Sequence, residues 1–186
     1  TSAIMSDEIR KWEKHASRVV SDHRIFKIRE DHTTNPRTGS EHEMVVLECP
    51  DWVNIIALTP EREVVFVEQY RQGSETVELE IPGGMMDPGE TDPVATALRE
   101  LREETGYTGE KARVIGACFA NPAIMNNHVH TILVENCQRT HEVEWDAGED
   151  LITRLIPEAD IPRLTRENQI RHSIVVAALH YFALNN

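Results

Sequence analysis

Short runs of alternating apolar and polar residues, separated by turn residues, cover most of the chain and predict β-strands. Runs at 17–30 and 42–48 flank a turn-rich segment, which predicts an antiparallel hairpin or small sheet at the N-terminus. Runs at 52–58 and 63–70 predict a second hairpin whose first strand is buried. Three further strands are predicted at 76–81, 111–120 and 128–135, and the acidic segment 140–150 is predicted to be a loop.

Two helices are predicted among these strands. Asp92 can cap the free N–H groups of a helix and Pro93 suits its first position, while Gly106 is a natural stop, so the first helix covers Pro93–Thr105. The second helix is predicted at 169–184, with an apolar stripe made of Ile170, Ile174, Ala177, Ala178 and Tyr181. Alternating strands and helices indicate an α/β domain.

Composition and charge indicate a globular domain and argue against a membrane protein or a nucleic-acid-binding protein. The chain has 186 residues with 19 Lys+Arg and 32 Asp+Glu, which gives a net charge of −13, and 40% of its residues are hydrophobic. These values are typical of one globular domain. No apolar run approaches the roughly 18 residues needed to span a bilayer. Because the chain is acidic and has no Lys/Arg run, we expect neither a membrane span nor nucleic-acid binding.

The cysteines indicate a reducing compartment. Cys49, Cys118 and Cys137 are widely spaced and contain no CxxC pair, so neither a disulfide framework nor a zinc site is predicted. Residues 1–5 have no basic region followed by an apolar core, so no secretory signal is predicted. We therefore expect a cytoplasmic protein.

Three carboxylates share one face of the first predicted helix. At about 100° per residue, Glu100, Glu103 and Glu104 fall on one side, and apolar residues such as Leu101 fall on another. Like charges at this spacing repel one another, so either the face is simply solvated or a cation lies among the carboxylates. A preceding glycine-bearing loop and the proximity of Arg99 favour the cation, and oxygen ligands favour Mg²⁺ or Mn²⁺.

The stretch around this helix resembles the box of the Nudix hydrolase family. That box runs Gly, five residues, Glu, seven residues, Arg-Glu, an aliphatic residue, any residue, Glu-Glu, any residue, Gly and an apolar residue. The matching residues are Gly84, Glu90, Arg99, Glu100, Leu101, Glu103, Glu104, Gly106 and Tyr107. The chain departs from the box by one extra residue before Arg99, which we place in the turn at 91–93.

The resemblance implies a metal site. Glu100 and Glu104 would be the main ligands of Mg²⁺, with Mn²⁺ as the other candidate, Glu103 would join or support them, and the Gly83 carbonyl would complete the site. Structural roles in the box, including the orientation of Arg99 by Glu90, are implied for Gly84, Glu90, Arg99 and Gly106. Divalent ions bridging a pyrophosphate neutralise its charge and lower the pKa of a bound water, which then attacks phosphorus.

Residues before the box narrow the resemblance to the ADP-ribose and nucleotide-sugar pyrophosphatases. In that group the arginine after Gln-Tyr faces a substrate phosphate, which implies this role for Arg71; the alternative is a surface arginine at a strand end. Glu80 would approach the metal and substrate, or would simply lie on the polar side of its strand. The amides of Asn126 and Asn127 would bind a sugar or base, although both residues are also ordinary turn formers.

The general base is less constrained by the sequence. Related enzymes take it from an acidic loop after the box, and the matching loop here contains Glu144 and Glu149. Either can serve, with Glu103 as a further catalytic candidate. The alternative for each is a solvated acid in an acidic loop.

The resemblance implies a Nudix α/β/α sandwich with a mixed central sheet and an N-terminal antiparallel β-hairpin or sheet. Residues 1–50 would form a dimerisation arm and 51–186 the catalytic domain of a homodimer. The expected activity is Mg²⁺-dependent hydrolysis of ADP-ribose, GDP-mannose or a similar small-molecule nucleotide sugar to a nucleoside monophosphate and a sugar phosphate, through a metal-activated water. The alternatives are hydrolysis of nucleoside triphosphates and a non-catalytic, nucleotide-sugar-sensing domain.

Overall fold

The computed structural model describes residues 8–145 and 147–185. The chain divides into two compact units: the first contains the chain up to Pro50 together with Phe119–Asn127, and the second contains Asp51–Cys118 and the chain from His128 onward. Residues 1–5, where no secretory signal is predicted, and Asp146 of the acidic loop lie outside the described residues.

The first unit contains a three-stranded antiparallel sheet. Its strands, in the spatial order β1-β2-β3, are β1 (Glu13–His23), β2 (Phe26–Thr34) and β3 (Glu41–Glu48). The prediction of an N-terminal antiparallel sheet is confirmed, but the simple hairpin is wrong. The run 17–30 is not one strand, because the chain turns at Arg24 and Ile25 and pairs back on itself.

Within the described residues, the second unit contains seven strands, three α-helices and a short 3₁₀ helix at Glu158–Asp160. Its strands are β4 (Trp52–Ala57), β5 (Glu63–Arg71), β6 (Thr76–Glu80), β7 (Gly83–Met85), β8 (Tyr107–Phe119), β9 (His128–Arg139) and β10 (Leu151–Pro157). Its helices are α1 (Pro93–Thr105), α2 (Ile161–Arg166) and α3 (Ser173–Leu184). The strands form two sheets, of order β7-β4-β9-β8 and β10-β5-β6. Because β4 is parallel to β9 and antiparallel to β7, the larger sheet is mixed.

Strand β4 explains how the helices are distributed. Val53 and Ile55 belong to a core cluster with Leu101 of α1, whereas Ile56 belongs to a second cluster with Phe182 of α3. Alternate residues of β4 therefore face different helices, and the strand is apolar apart from the buried Asn54 because both of its faces are buried. The predicted α/β/α arrangement with a mixed sheet is confirmed.

Helix α1 has the predicted bounds, Pro93–Thr105. The Asp92 side chain accepts a hydrogen bond from the Val94 N–H at 2.9 Å, and Gly106 ends the helix in the left-handed region at φ 74°. The described residues of 140–150 form a loop, as predicted. None of the helices in the described part of the chain has the length and apolar character needed to span a bilayer.

Three other expectations are wrong. Strands β4 and β5 are consecutive but do not form a hairpin, because they enter different sheets; an isolated antiparallel bridge joins Leu58, which follows β4, to Val64 of β5. The terminal helix begins at Ser173 rather than at residue 169. Its buried residues are Val175, Ala178, Leu179 and Phe182. Of the predicted stripe, Ala178 is buried in the described helix and Ile170 is buried ahead of it, while Ile174, Ala177 and Tyr181 are only partly buried. Strands β7 and β10 and helix α2 were not predicted, and β7 occupies the start of the segment that was expected to be a glycine-bearing loop before α1.

Candidate active site

Helix α1 carries three carboxylates on one face, apart from its apolar residues. Glu104 is only 5% exposed, while the Glu100 and Glu103 side chains are partly buried. Leu101, on the other side of the helix, is fully buried in the core. The predicted acidic face is therefore not a solvated surface, since two of its three carboxylates are largely withdrawn from water.

Two glycines of β7 lie against these carboxylates, and Gly84 leaves space for one of them. A Cβ atom on Gly84 would lie 2.5 Å from Cδ of Glu100, so any larger residue there would displace the carboxylate. The Gly83 N–H donates to Oε2 of Glu104 at 3.2 Å. The group of Gly83 that contacts the acidic face in this structure is thus its N–H, and the role of its carbonyl stays a prediction.

Burial and nearby negative charge raise the pKa of two of these carboxyls. Burial, together with the charges of Glu100 and Glu149, raises the pKa of Glu104 to about 8. Burial, together with the charges of Glu103 and Glu149, raises the pKa of Glu100 to about 6. A positive charge at this point would relieve both effects.

Arg99 already supplies one positive charge at this face. Its guanidinium lies 3.0 Å from Glu100 and 3.1 Å from Glu103. Its Nη2 also lies 3.5 Å from Oε2 of Glu90, a carboxylate oxygen that accepts from the Thr96 hydroxyl as well. Burial works against the charged form of Arg99, but its acidic neighbours raise its pKa. The predicted proximity of Glu90 and Arg99 is present, and Arg99 also contacts two predicted metal ligands.

The acidic face fits a divalent cation in its chemistry rather than in a finished coordination geometry. Among the described residues, no three acidic, histidine or cysteine side chains are gathered closely enough to hold a metal ion. The donor set is nevertheless made of oxygens, which suits Mg²⁺. Glu100 and Glu104 are the residues that would hold such an ion, because a cation would favour their ionised forms.

Arg71 and Glu80 form a close ion pair beside the acidic face. Both are at the ends of neighbouring strands, and Nε and Nη2 of Arg71 donate to the two carboxylate oxygens of Glu80 at 2.8 Å each. Glu80 raises the pKa of Arg71, and the charges of Glu104 and Glu149 add to this effect. The structure thus brings Arg71 and Glu80 together with the predicted metal ligands.

His172 completes this group and was not predicted. Its Nδ1 lies 2.9 Å from Oε2 of Glu80. Burial alone would raise the pKa of Glu80, but its hydrogen bonds with Arg71 and His172 hold that pKa at about 2. No sequence motif marks His172, since it is distant from the box along the chain and precedes a helix whose start was placed too early.

The two candidate bases of the acidic loop lie in different surroundings. The Glu144 carboxylate is 3.6 Å from Nη2 of Arg102 and is mostly exposed. Glu149, in contrast, is close enough for its charge to raise the pKa of both Glu100 and Glu104. Trp145 holds the loop in place by donating from Nε1 to the Glu104 carbonyl at 2.9 Å.

Asn126 and Asn127 belong to the first unit rather than to the unit that holds the acidic face. Asn126 Oδ1 accepts from the Cys49 N–H at 3.0 Å. Asn127 is 1% exposed, and within the described residues its side-chain amide has no hydrogen-bond partner. Their role in binding a sugar or base stays a prediction.

An α/β/α sandwich with an acidic helix beside an arginine paired with a buried glutamate is the arrangement expected of the Nudix class of proteins. The model of the NUDIX domain matches residues 50–178. The chain therefore belongs to the Nudix family, as its box predicted. The family match also covers every residue of the acidic face, together with Arg71, Glu80 and His172.

Relatives of known name agree with this assignment. An ADP-ribose pyrophosphatase of Bacillus subtilis is 31% identical over 147 residues, which cover 78% of this chain and 79% of that protein. A methanol dehydrogenase activator of Bacillus methanolicus is 32% identical, with 87% of this chain and 86% of that protein covered. A crystal structure of an ADP compounds hydrolase covers 96% of this chain and 95% of that one with a TM-score of 0.83, and at 20% identity it shows the fold alone. The predicted family, fold class and enzyme class, a Nudix hydrolase, are confirmed.

Proposed function

We propose that this Nudix hydrolase cleaves the pyrophosphate of ADP-ribose or a related nucleoside diphosphate sugar in the presence of Mg²⁺. The products are a nucleoside monophosphate and a sugar phosphate. The observation that carries this proposal is the buried acidic face of α1 next to the Arg71–Glu80 pair. Relatives named ADP-ribose pyrophosphatase, in Bacillus subtilis and Mycobacterium tuberculosis, support the choice of substrate.

Arg71 is the proposed ligand of a substrate phosphate. An arginine side chain has five N–H donors, and the pair with Glu80 uses one on Nε and one on Nη2. The donors on Nη1 and the second donor on Nη2 can therefore bind phosphate oxygens. Because 44% of the Arg71 side chain is exposed, a ligand can reach them. Glu80 holds the guanidinium plane so that these donors keep one orientation.

The carboxylates of α1 are the proposed metal ligands. Glu100 and Glu104 would hold Mg²⁺, with Glu103 and the Gly83 carbonyl as further ligands. When bound, Mg²⁺ neutralises phosphate charge and lowers the pKa of water. With a metal ion bound to Glu100 and Glu104, Arg99 would still pair with Glu103 and Glu90.

Glu149 is the proposed general base. Its charge acts on Glu100, Glu104 and Arg71, which supports a position near the proposed metal ligands and phosphate site. Glu144 pairs with Arg102 instead. A base must be within hydrogen-bond reach of the proton that it takes, and this requirement favours Glu149.

The substrate proposal is tested with a panel of compounds and analysis of the products. The purified protein is incubated with Mg²⁺ and ADP-ribose, GDP-mannose, other nucleotide sugars or a nucleoside triphosphate. Cleavage of the nucleotide sugars to a monophosphate and a sugar phosphate is expected. Cleavage of the triphosphate alone would support the rival hydrolase, and binding of nucleotide sugars without any cleavage would support a sensing domain.

The choice of base is tested with three glutamine variants from one loop. Glu149→Gln is expected to lower kcat by about 10²-fold to 10⁴-fold, because a general base commonly contributes that much. Glu144→Gln is expected to keep most of the activity. Glu142→Gln is the matched control, since its side chain is 96% exposed and lies 3.6 Å from Arg139. If Glu144→Gln loses more activity than Glu149→Gln, the assignment is wrong.

We further propose a cytoplasmic homodimer that uses the N-terminal arm, residues 1–50. Exposed large apolar side chains on β1 and β3 support this, namely Val19, Val20, Met44 and Val45. The cysteines Cys49, Cys118 and Cys137 are free thiols, which suits a reducing compartment. Light scattering coupled to gel filtration tests the dimer, and a monomer at micromolar concentration would contradict it.

A further inference from the structure

The connector between α2 and α3 binds strand β6 through two neighbouring side chains. Ile170 is 1% exposed and anchors the connector in the core. Arg171 then reaches Glu78, and His172 reaches Glu80. Both glutamates are buried and lie on the same side of β6, since they are two residues apart.

His172 is directed at Glu80 rather than at its own helix. It is the N-cap residue of α3, but its side chain makes no capping hydrogen bond. Nδ1 instead lies 2.9 Å from Oε2 of Glu80. Because an ionised carboxylate can only accept hydrogen bonds, Nδ1 carries the hydrogen and donates it.

Glu80 links His172 to Arg71 through one oxygen. Oε1 accepts from Nε of Arg71, while Oε2 accepts from both Nη2 of Arg71 and Nδ1 of His172. The carboxylate is only 3% exposed, so water cannot readily replace a lost donor. Without His172 the carboxylate can rotate, and the two parallel hydrogen bonds that fix the guanidinium plane would be disturbed.

We infer that His172 is a positioning residue for substrate binding, which fixes Glu80 and through it the guanidinium of Arg71. The inference rests on the proposed function, in which Arg71 binds a substrate phosphate. His172 itself does not contact the substrate in this account. Its loss weakens binding of a phosphate in both the ground state and the transition state, so KM rises more than kcat falls.

The neighbouring pair Arg171–Glu78 is a matched control. Arg171 donates from Nε and Nη2 to the Glu78 carboxylate at 2.8 and 2.9 Å, so it ties the same connector to the same strand. The other side-chain partners of Glu78 are the hydroxyls of Ser74 and Thr76. Loss of Arg171 therefore loosens the connector without removing a donor from the carboxylate that holds Arg71.

The experiment compares steady-state kinetics on ADP-ribose with Mg²⁺ for the full chain and its variants. His172→Leu is expected to raise KM roughly tenfold, the size typical of a lost hydrogen bond to a charged group, with kcat within about twofold of wild type. His172→Asn is expected to restore KM, because the Asn amide nitrogen is attached to Cγ as Nδ1 of histidine is. Arg171→Gln is expected to keep the wild-type KM. Thermal melting is recorded for each variant, and His172→Gln replaces His172→Leu if the latter does not fold.

Arg71→Ala separates failure of the inference from failure of the proposed function. If Arg71→Ala raises KM but His172→Leu leaves it unchanged, the inference is overturned while the role of Arg71 stands. Equal rises in KM for His172→Leu and Arg171→Gln would also overturn it, because a loosened connector would then explain both. If Arg71→Ala itself leaves KM unchanged, the phosphate-binding role of Arg71 fails, and the inference fails with it.

Discussion

Glu104→Gln is expected to stabilise the metal-free protein at alkaline pH while it abolishes turnover. The carboxyl of Glu104 is buried beside Glu100 and is close to Glu149, and these surroundings disfavour its charged form. Glutamine keeps nearly the same volume and can still accept from the Gly83 N–H, but it has no charge to bury. Glu104, the proposed metal ligand, therefore lowers the stability of the metal-free protein at alkaline pH.

The size and sign of this effect follow from the pKa of Glu104. Its pKa rises from 4.5 to about 8 on folding, and each pKa unit corresponds to about 1.4 kcal/mol. Because the pKa is raised, the protonated side chain favours the folded state fully below pH 4.5, and this advantage is lost as the pH rises through 8. At pH 8 the resulting loss of stability is of the order of 4 kcal/mol.

The assay is urea denaturation of EDTA-treated protein at pH 5 and pH 8. The free energy of unfolding of Glu104→Gln should exceed that of wild type at pH 8, with a much smaller difference at pH 5. Added Mg²⁺ should stabilise wild type at pH 8 more than the variant, since a ligand stabilises the state that binds it. Glu110→Gln, at an exposed position, should behave as wild type throughout. A variant that is less stable than wild type at pH 8 would refute the reasoning.

Three further predictions concern other parts of the site and core. Gly84→Ala should remove most activity while the fold is kept, because its Cβ would displace Glu100, whereas Gly73→Ala, with no atom within 4 Å of the added Cβ, should be active; equal activities would contradict this. Leu101→Ala should lower the free energy of unfolding by roughly 2–5 kcal/mol, because Leu101 is fully buried. A loss below about 1 kcal/mol in urea denaturation would contradict the close packing of Leu101. Glu80→Gln should be less stable than wild type by about 3 kcal/mol at pH 7, because the folded structure lowers the pKa of Glu80 from 4.5 to about 2. This difference should shrink as the pH falls below 4.5. If denaturation curves show a difference that does not change with pH, the ionised Glu80 carboxylate is not its cause.

Local signals made some elements predictable. Helix α1 has its predicted bounds because its start and stop depend on adjacent residues, Asp92, Pro93 and Gly106. The N-terminal sheet shows the opposite case. The turn at Arg24 and Ile25 contains no glycine, proline or asparagine, so nothing in the pattern separates β1 from β2.

Other features depend on packing between distant segments. The pattern of β4 and β5 predicts two strands, but which sheet each enters is decided by pairing with β9 and with β6 and β10. On β6, the apolar Val77 is 62% exposed, while Glu78 and Glu80 are buried against Arg171 and His172 from the connector before α3. An alternating pattern alone would place these residues the other way round.

In the candidate site, too, some features depend on neighbouring residues and others on contacts between distant segments. The acidic face is encoded within one helix, so its residues could be predicted together from their spacing. Arg71 and Glu80 were indicated only by the resemblance to pyrophosphatases. His172 could not be predicted, because its contact with Glu80 joins residues far apart in the sequence and depends on how α3 docks on the sheet.

The central claim is that the acidic face of α1 supports Mg²⁺-dependent cleavage of a nucleoside diphosphate sugar. The most direct measurement is chromatography of the products formed from ADP-ribose by wild type and Glu104→Gln, each with Mg²⁺ and with EDTA. Of these four reactions, we expect AMP and ribose phosphate to form only in the one that contains wild type and Mg²⁺. AMP formation by Glu104→Gln at the wild-type rate, or by wild type in EDTA, would contradict it.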